Sequence, residues 1–389
     1  MVVRYIKTIL KYLNSSSIEY EINLVTPVYN SNSFGYSKTT KEIHQNLKNV
    51  NIIEIDNGSD GKTGFGSVEN WETISKNTAD YLNGLNFSDY NQVITICNDT
   101  PFAGLAQYLK KFNNHKLVWI PHSTTLIFPN ENLFDVKKEI EWEQNSVNFI
   151  NKTSGYFVGS ICNYMKKHLI ENYKVKDSKI LEITNGEIFE QEEFAESQEL
   201  KNLFEKINKY EQIVFSFARA EKAKNLESVM MLKEELKIPT IVIARTYGEH
   251  LPIIDDYEFL AKKYNCDLFV DPYYNFSKYI LKHFNKKMIV IIPSTQEPMG
   301  LIINEVRKLN RDNILIVANN CGGLTEQIED TKDGLLIDLN NLKLSAKKIK
   351  KYFNKTDMAL MNKQSQKTIK EKYDITKNMS NLLNQLLEM

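Results

Sequence analysis

No apolar run in this chain approaches the roughly 20 residues that a bilayer-spanning helix requires. The opening MVVRYIKTILKYL is interrupted by Arg4, Lys7 and Lys11, which excludes a secretory signal and leaves an interfacial amphipathic helix as the alternative. Net charge is also missing. The 49 Lys and Arg balance 49 Asp and Glu over 389 residues, so no global field draws nucleic acid. The first half is mildly acidic, which disfavours docking on an anionic membrane. Cysteine is scarce: Cys97, Cys162, Cys266 and Cys321 lie far apart without a C-x-x-C spacing. That excludes a cysteine-built zinc site and fits a reducing compartment, so a cytoplasmic protein without membrane association is expected. The stretch DGKTGFG (60–66) lacks the leading glycine of a phosphate-binding G-x4-G-K-T loop and reads instead as a mobile loop on the acceptor side.

What the chain has is a series of short apolar runs with helix-like stretches between them. INLVTP (22–27), NIIEID (51–56), QVITIC (92–97) and KLVWIP (116–121) read as strands. A second series follows at 212–218, 239–244, 267–271, 288–293 and 313–318. Runs this apolar, without clean alternation, predict parallel sheets covered on both faces. Strand and helix alternating twice over predicts an α/β protein of two doubly wound domains. At this length two domains are the natural expectation, with a boundary in the acidic helix-prone segment 187–206. In such sheets ligands bind beyond the carboxyl ends of the strands, so the residues just after each strand carry the chemistry.

Three such segments stand out. In IVIIPSTQEPMGLIINEV (289–306), Pro298 suits a helix entry, and Gly300 lets the N–H groups of Leu301 and Ile302 approach a ligand closely. A helix N-terminus with unpaired N–H groups matches a diphosphate. Glu305 on that helix is suited to ribose hydroxyls and Glu297 at its mouth to sugar hydroxyls, although either acid alone reads first as surface charge. FSFARAEKAKNLE (215–227) brings Arg219 and Lys224 to the same edge, where two cations would stabilise a departing diphosphate. In NNCGGLTEQI (319–328), Gly322 and Gly323 permit a tight turn, with Glu326 at the next helix start.

In this order the three segments resemble the retaining GT-B glycosyltransferases of family 4, which carry Arg-x4-Lys, E-x7-E with an internal Gly-Leu, and G-G-x-x-E. The resemblance spans nearly the whole chain and is strongest over 212–337. More faintly, His122 in VWIPHST, Ser160 in YFVGSICNYM and Asn185-Gly186 near the junction match the family's first domain. Two departures stand out: the first-loop Gly-Gly is the single Gly35, and the Lys is followed by Asn225 rather than Gly.

The resemblance implies two Rossmann-like domains facing a cleft. The first is expected over 1–195, with a C-terminal helix at 376–389 returning to it, and the donor-binding domain over 196–375. It implies transfer of a sugar from a UDP-sugar with retention. Arg219, Lys224, Glu297 and His122 would act at the reacting centre, and Gly35, Gly300, Leu301, Ile302, Glu305 and Tyr273 would hold the donor. No D-x-D follows a strand, and neither metal nor cofactor is expected. The Tyr/Asn-rich first loop and VWIPHST are similar to transferases of aminoglycoside pathways, which move N-acetylglucosamine onto 2-deoxystreptamine. For that dicationic acceptor Asp99 is the expected ammonium partner. Transfer onto surface polysaccharide or glycolipid, and nucleotide-sugar binding without transfer, are the alternatives.

Overall fold

The computed structural model describes residues 2–28, 49–63, 65–110, 112, 114–128, 136–189, 197–246, 251–272, 275–309, 312–353 and 355–389. The chain divides into two units, Met1–Asn185 with Ile375–Met389, and Gly186–Asp374. The division falls about ten residues before the boundary expected at 195. The reason is local: Gly186 and Glu187 follow the second unit's backbone, with Glu187 N–H donating to the Tyr373 carbonyl at 2.8 Å.

In the first unit, α1 (Val2–Ser15) leads into β1 (Asn23–Pro27) and β2 (Asn51–Ile55), which pair in parallel. A second parallel sheet runs in the spatial order β3 (Val93–Asn98), β4 (His115–Ile120), β5 (Tyr156–Ser160) and β6 (Ile180–Glu182). Leu117, Trp119 and Val158 of these strands pack with Trp71 and Ala79 of α2 (Val68–Asn83), Trp142 and Val147 of α3 (Val136–Ile150), and Leu169 of α4 (Asn163–Tyr173).

The second unit holds α5 (Gln198–Asn208), β7 (Gln212–Arg219), α6 (Leu226–Leu236), β8 (Thr240–Arg245), α7 (Ile253–Tyr264), β9 (Asp267–Val270), α8 (Phe276–His283), β10 (Lys287–Ile292) and α9 (Leu301–Leu309). It closes with β11 (Ile314–Asn319), α10 (Leu324–Gln327), β12 (Leu335–Ile337), α11 (Leu342–Tyr352) and α12 (Lys355–Lys372). Its six strands form one parallel sheet in the order β12-β11-β10-β7-β8-β9. Alternate residues feed two cores. Val242, Ala244, Ile289 and Ile291 enter one, while Ile241, Ile243, Met288, Val290 and Ile292 enter the other. Helices on both faces explain why these strands read as unbroken apolar runs. Each fully buried Ile or Val contributes roughly 1.5–3 kcal/mol relative to exposure.

The last helix, α13 (Ile375–Glu388), belongs to the first unit and packs on α1. Tyr5, Ile6 and Thr8 of α1 are buried, as are Leu382, Leu383 and Leu386 of α13. The apolar face of α1 is therefore occupied by protein and is not presented as an interfacial anchor. No helix among the described residues is long and apolar enough to cross a membrane.

Candidate active site

In the second unit the strand order reverses direction between β7 and β10, the point where open parallel sheets form a crevice at their carboxyl ends. The segments that follow these two strands are joined there. Thr295 N–H donates to the Ala223 carbonyl at 2.8 Å, and the Asn225 amide donates to the Pro293 carbonyl at 3.2 Å. Asn225 has φ 49°, a left-handed conformation that Asn tolerates better than most residues, so this turn is open to Asn as well as to glycine. These ties bring Lys224 Nζ within 2.7 Å of Glu297 Oε2.

Gly300 turns the loop into α9 with φ 79°, and a Cβ there would lie 2.3 Å from Leu324 Cδ2. Leu301 and Ile302, partly buried, open α9, where the first N–H groups have no acceptor within the helix. Glu305 is partly buried one turn on. The Gly-Gly turn at 322–323 backs this loop. A Cβ on Gly323 would sit 2.0 Å from the Pro298 carbonyl oxygen, and one on Gly322 would sit 2.3 Å from that of Glu297. Gly323 N–H donates to the Glu297 carbonyl at 2.8 Å. The two glycines thus serve close backbone approach as well as a turn. Glu326 is partly buried beside them, and its carbonyl accepts from the Tyr373 hydroxyl at 3.2 Å.

Arg219 ends β7, is 53% exposed and pairs with Glu221 at 2.9 Å. Its register partner on β8 is Arg245, whose Nη1 donates to the Pro272 carbonyl at 2.9 Å. Arg245 is a further cation at this edge, beside Arg219 and Lys224, that the motif reading passed over, although its place directly after a strand was the available signal. Gly35 and Tyr273 lie outside the described residues.

Asp99, His122, Tyr5 and Asn185 come together in the first unit. The Asp99 carboxylate accepts from the N–H of Thr100 at 3.2 Å and from the N–H of His122. Burial nevertheless pushes its carboxyl up to about 6. Burial lowers the His122 imidazole to about 3, so the ring is neutral at physiological pH. Its Nδ1 lies 3.4 Å from the Asn185 amide nitrogen, whose carbonyl oxygen accepts from the Tyr5 hydroxyl. That assigns the His122 proton to Nε2, which has no partner among the described residues. Ser160 is buried and donates to the Cys162 carbonyl at 2.7 Å, a local tie.

The sequence reading also passed over Glu143. Its fully buried carboxylate accepts from the Thr125 N–H at 3.1 Å, the Thr100 hydroxyl at 3.3 Å and the Tyr173 hydroxyl. Glu143 thereby braces the two loops that carry Asp99 and His122.

Residues 198–372 match the family described as glycosyl transferases group 1. No curated protein sequence matches this chain. Among solved structures it is similar to a glycosyltransferase from Rickettsia africae, at 17% identity and TM-score 0.69, over 99% of this chain and 93% of that one. It is also similar to sucrose-phosphate synthase from Thermosynechococcus elongatus, at 14% identity and TM-score 0.74, again over 99% and 93%. Anabaena HepE in complex with UDP shares 13% identity and a TM-score of 0.67, over 94% and 92%. At these identities the likeness is one of fold, and the fold is GT-B.

Proposed function

We propose that this glycosyltransferase, whose group 1 domain spans residues 198–372, moves a sugar from a UDP-sugar to a hydroxyl of a small polar acceptor with retention of configuration. The observation that carries the reading is the meeting of Lys224, Glu297 and the first N–H groups of α9 at the reversal point of the sheet. Cation and helix end are matched to a pyrophosphate, whose charge grows as its bond to the sugar lengthens. Arg219 and Lys224 would take up that charge, Glu297 and Glu305 would accept sugar and ribose hydroxyls, and Tyr273 would lie against the base. No metal or cofactor is required on this route.

Retention fits the first unit's chemistry. An inverting route needs a protein base near the acceptor, yet residues 28–38 contain no His, Asp or Glu. The neutral His122, with its proton on Nε2, is a hydrogen-bond donor to a sugar or phosphate oxygen rather than a base. The acceptor's proton would pass to the leaving phosphate on the same face.

The finer form of the proposal is N-acetylglucosamine transfer from its UDP-sugar onto an aminocyclitol such as 2-deoxystreptamine, in antibiotic biosynthesis in the cytoplasm. Asp99 would hold the acceptor's ammonium, and the mildly acidic first half favours a cationic acceptor. A mass-spectrometric screen of UDP-glucose and UDP-N-acetylglucosamine against 2-deoxystreptamine and undecaprenyl-linked sugars tests it. Product from the aminocyclitol is expected. Transfer only to the lipid would overturn the acceptor, and no turnover of any UDP-sugar would overturn the reaction.

A further inference from the structure

The backbone carbonyls of Met299 and Gly300 both accept hydrogen bonds from one side chain, the amide of Gln327, with the Gly300 contact at 2.9 Å. Gln327 ends α10 and is 1% exposed. Its own carbonyl is held by Nη2 of Arg307 at 2.5 Å, and the same nitrogen lies 2.9 Å from Asp333 Oδ2. Arg307 is itself fully buried, with Nε donating to the Ser365 hydroxyl at 3.0 Å. With Gly323 N–H on the Glu297 carbonyl, segment 323–327 grips the carbonyl side of the loop before α9.

This grip has a directional consequence. The chain contains no cis peptide among the described residues, and in a planar trans peptide the N–H points opposite to the C=O. The Met299 carbonyl shares its peptide with the Gly300 N–H, and the Gly300 carbonyl shares its peptide with the Leu301 N–H. Drawing both carbonyls towards Gln327 therefore turns both N–H donors to the other side of the loop, at the mouth of α9.

We propose that Gln327 is a positioning residue for the donor diphosphate: it does not touch the ligand but sets the direction of the Gly300 and Leu301 N–H groups that would bind it. The inference rests on the donor site proposed above and assigns it a supporting residue outside the family motifs. A merely structural amide would satisfy two buried carbonyls and no more. The two roles differ in which part of the ligand feels the loss.

The test is binding of UDP and of uridine, by calorimetry and competition, to wild type and to Gln327→Met, which keeps the side-chain volume and removes both donors. UDP affinity is expected to fall about ten-fold or more, the scale of lost hydrogen bonds to a charged group, with uridine affinity unchanged. Equal weakening of both ligands, or undiminished UDP binding, would overturn the proposal. Gln327→Glu supplies a second readout. A protonated carboxyl can donate to a carbonyl and an ionised one repels it, so the UDP-to-uridine preference, relative to wild type at the same pH, should recover from pH 8 to pH 5.5. A flat ratio would count against the role. The two readings fail differently. If wild type binds UDP no better than uridine, the donor site and its positioning residue both fall. If Lys224→Ala loses the preference while Gln327→Met keeps it, only the positioning role falls.

Discussion

The Lys224 ammonium lies 2.7 Å from Glu297 Oε2, and the two side chains are only 13% and 15% exposed. The pair bridges the segments after β7 and β10, so one contact serves the local fold and the chemistry proposed for it. Attraction at this distance is strong, but desolvation of both ions offsets much of it.

Removing one partner should therefore be worse for stability than removing both. Lys224→Ala is expected to lower turnover roughly 10²–10³-fold, the scale of a lost transition-state charge contact, and to lower Tm by leaving Glu297 unpaired. The double variant Lys224→Met with Glu297→Gln should regain Tm without regaining activity. Initial rates and thermal melts of the three proteins decide this, and an active double variant would remove the pair from the mechanism.

At Asn225 the backbone, at φ 49°, sets the cost of substitution. Asn225→Ala should destabilise by about 1–2 kcal/mol, because alanine lacks the short polar side chain that lets Asn occupy the left-handed region and the amide contact to Pro293 is lost. Asn225→Gly loses the contact but relieves the conformation and should be milder. Denaturant unfolding of both variants measures the order; a more stable Ala variant would contradict it.

Gly323→Ala places a methyl 2.0 Å from the Pro298 carbonyl oxygen, a backbone atom that cannot rotate away. A loss of about 1–3 kcal/mol or more is expected. Because the displaced loop leads into α9, UDP affinity should fall with it. Retained affinity in a destabilised variant would separate the Gly-Gly turn from the donor site.

Asp99 gives a pH dependence whose sign is fixed by the upward shift to about 6. A carboxyl raised by burial favours its protonated form in the folded state. Its stabilising contribution is complete below its unfolded value of about 3.9 and fades as pH rises through 6. Asp99→Asn should thus gain Tm relative to wild type at pH 8 and show little difference near pH 4. If the carboxylate holds a cationic acceptor, the acceptor KM of wild type should rise as pH falls below 6. A KM flat from pH 5 to 8 would release Asp99 from that role.

Activity should survive a strong chelator, because Arg219, Lys224 and the N–H groups opening α9 are expected to carry the pyrophosphate charge. A loss of turnover restored by a divalent cation would place a metal on the route instead.

The strands at 212–219 and 287–292 were legible because burial on both faces writes an unbroken apolar run, and the residues after them were singled out because open parallel sheets generally place ligands there. β6 and β12 are three residues each, too short to carry a pattern. Glu143 and Gln327 escaped notice for another reason. Each is a polar residue inside a helical segment, where only its burial and its partners distinguish it from a solvated neighbour.

By itself the sequence determined the kind of protein: apolar periodicity dictated parallel sheets, and the order of Arg-x4-Lys, E-x7-E and G-G-x-x-E marked the edge at which the donor site is proposed. Tertiary structure decided which groups meet. Pairing of Lys224 with Glu297 depends on β7 and β10 being neighbours at the sheet's reversal point, and pairing of the Gln327 amide with two carbonyls far behind it in sequence depends on β10 and β11 being neighbours. Strand order is set by how whole layers pack, and no local pattern of residues encodes it.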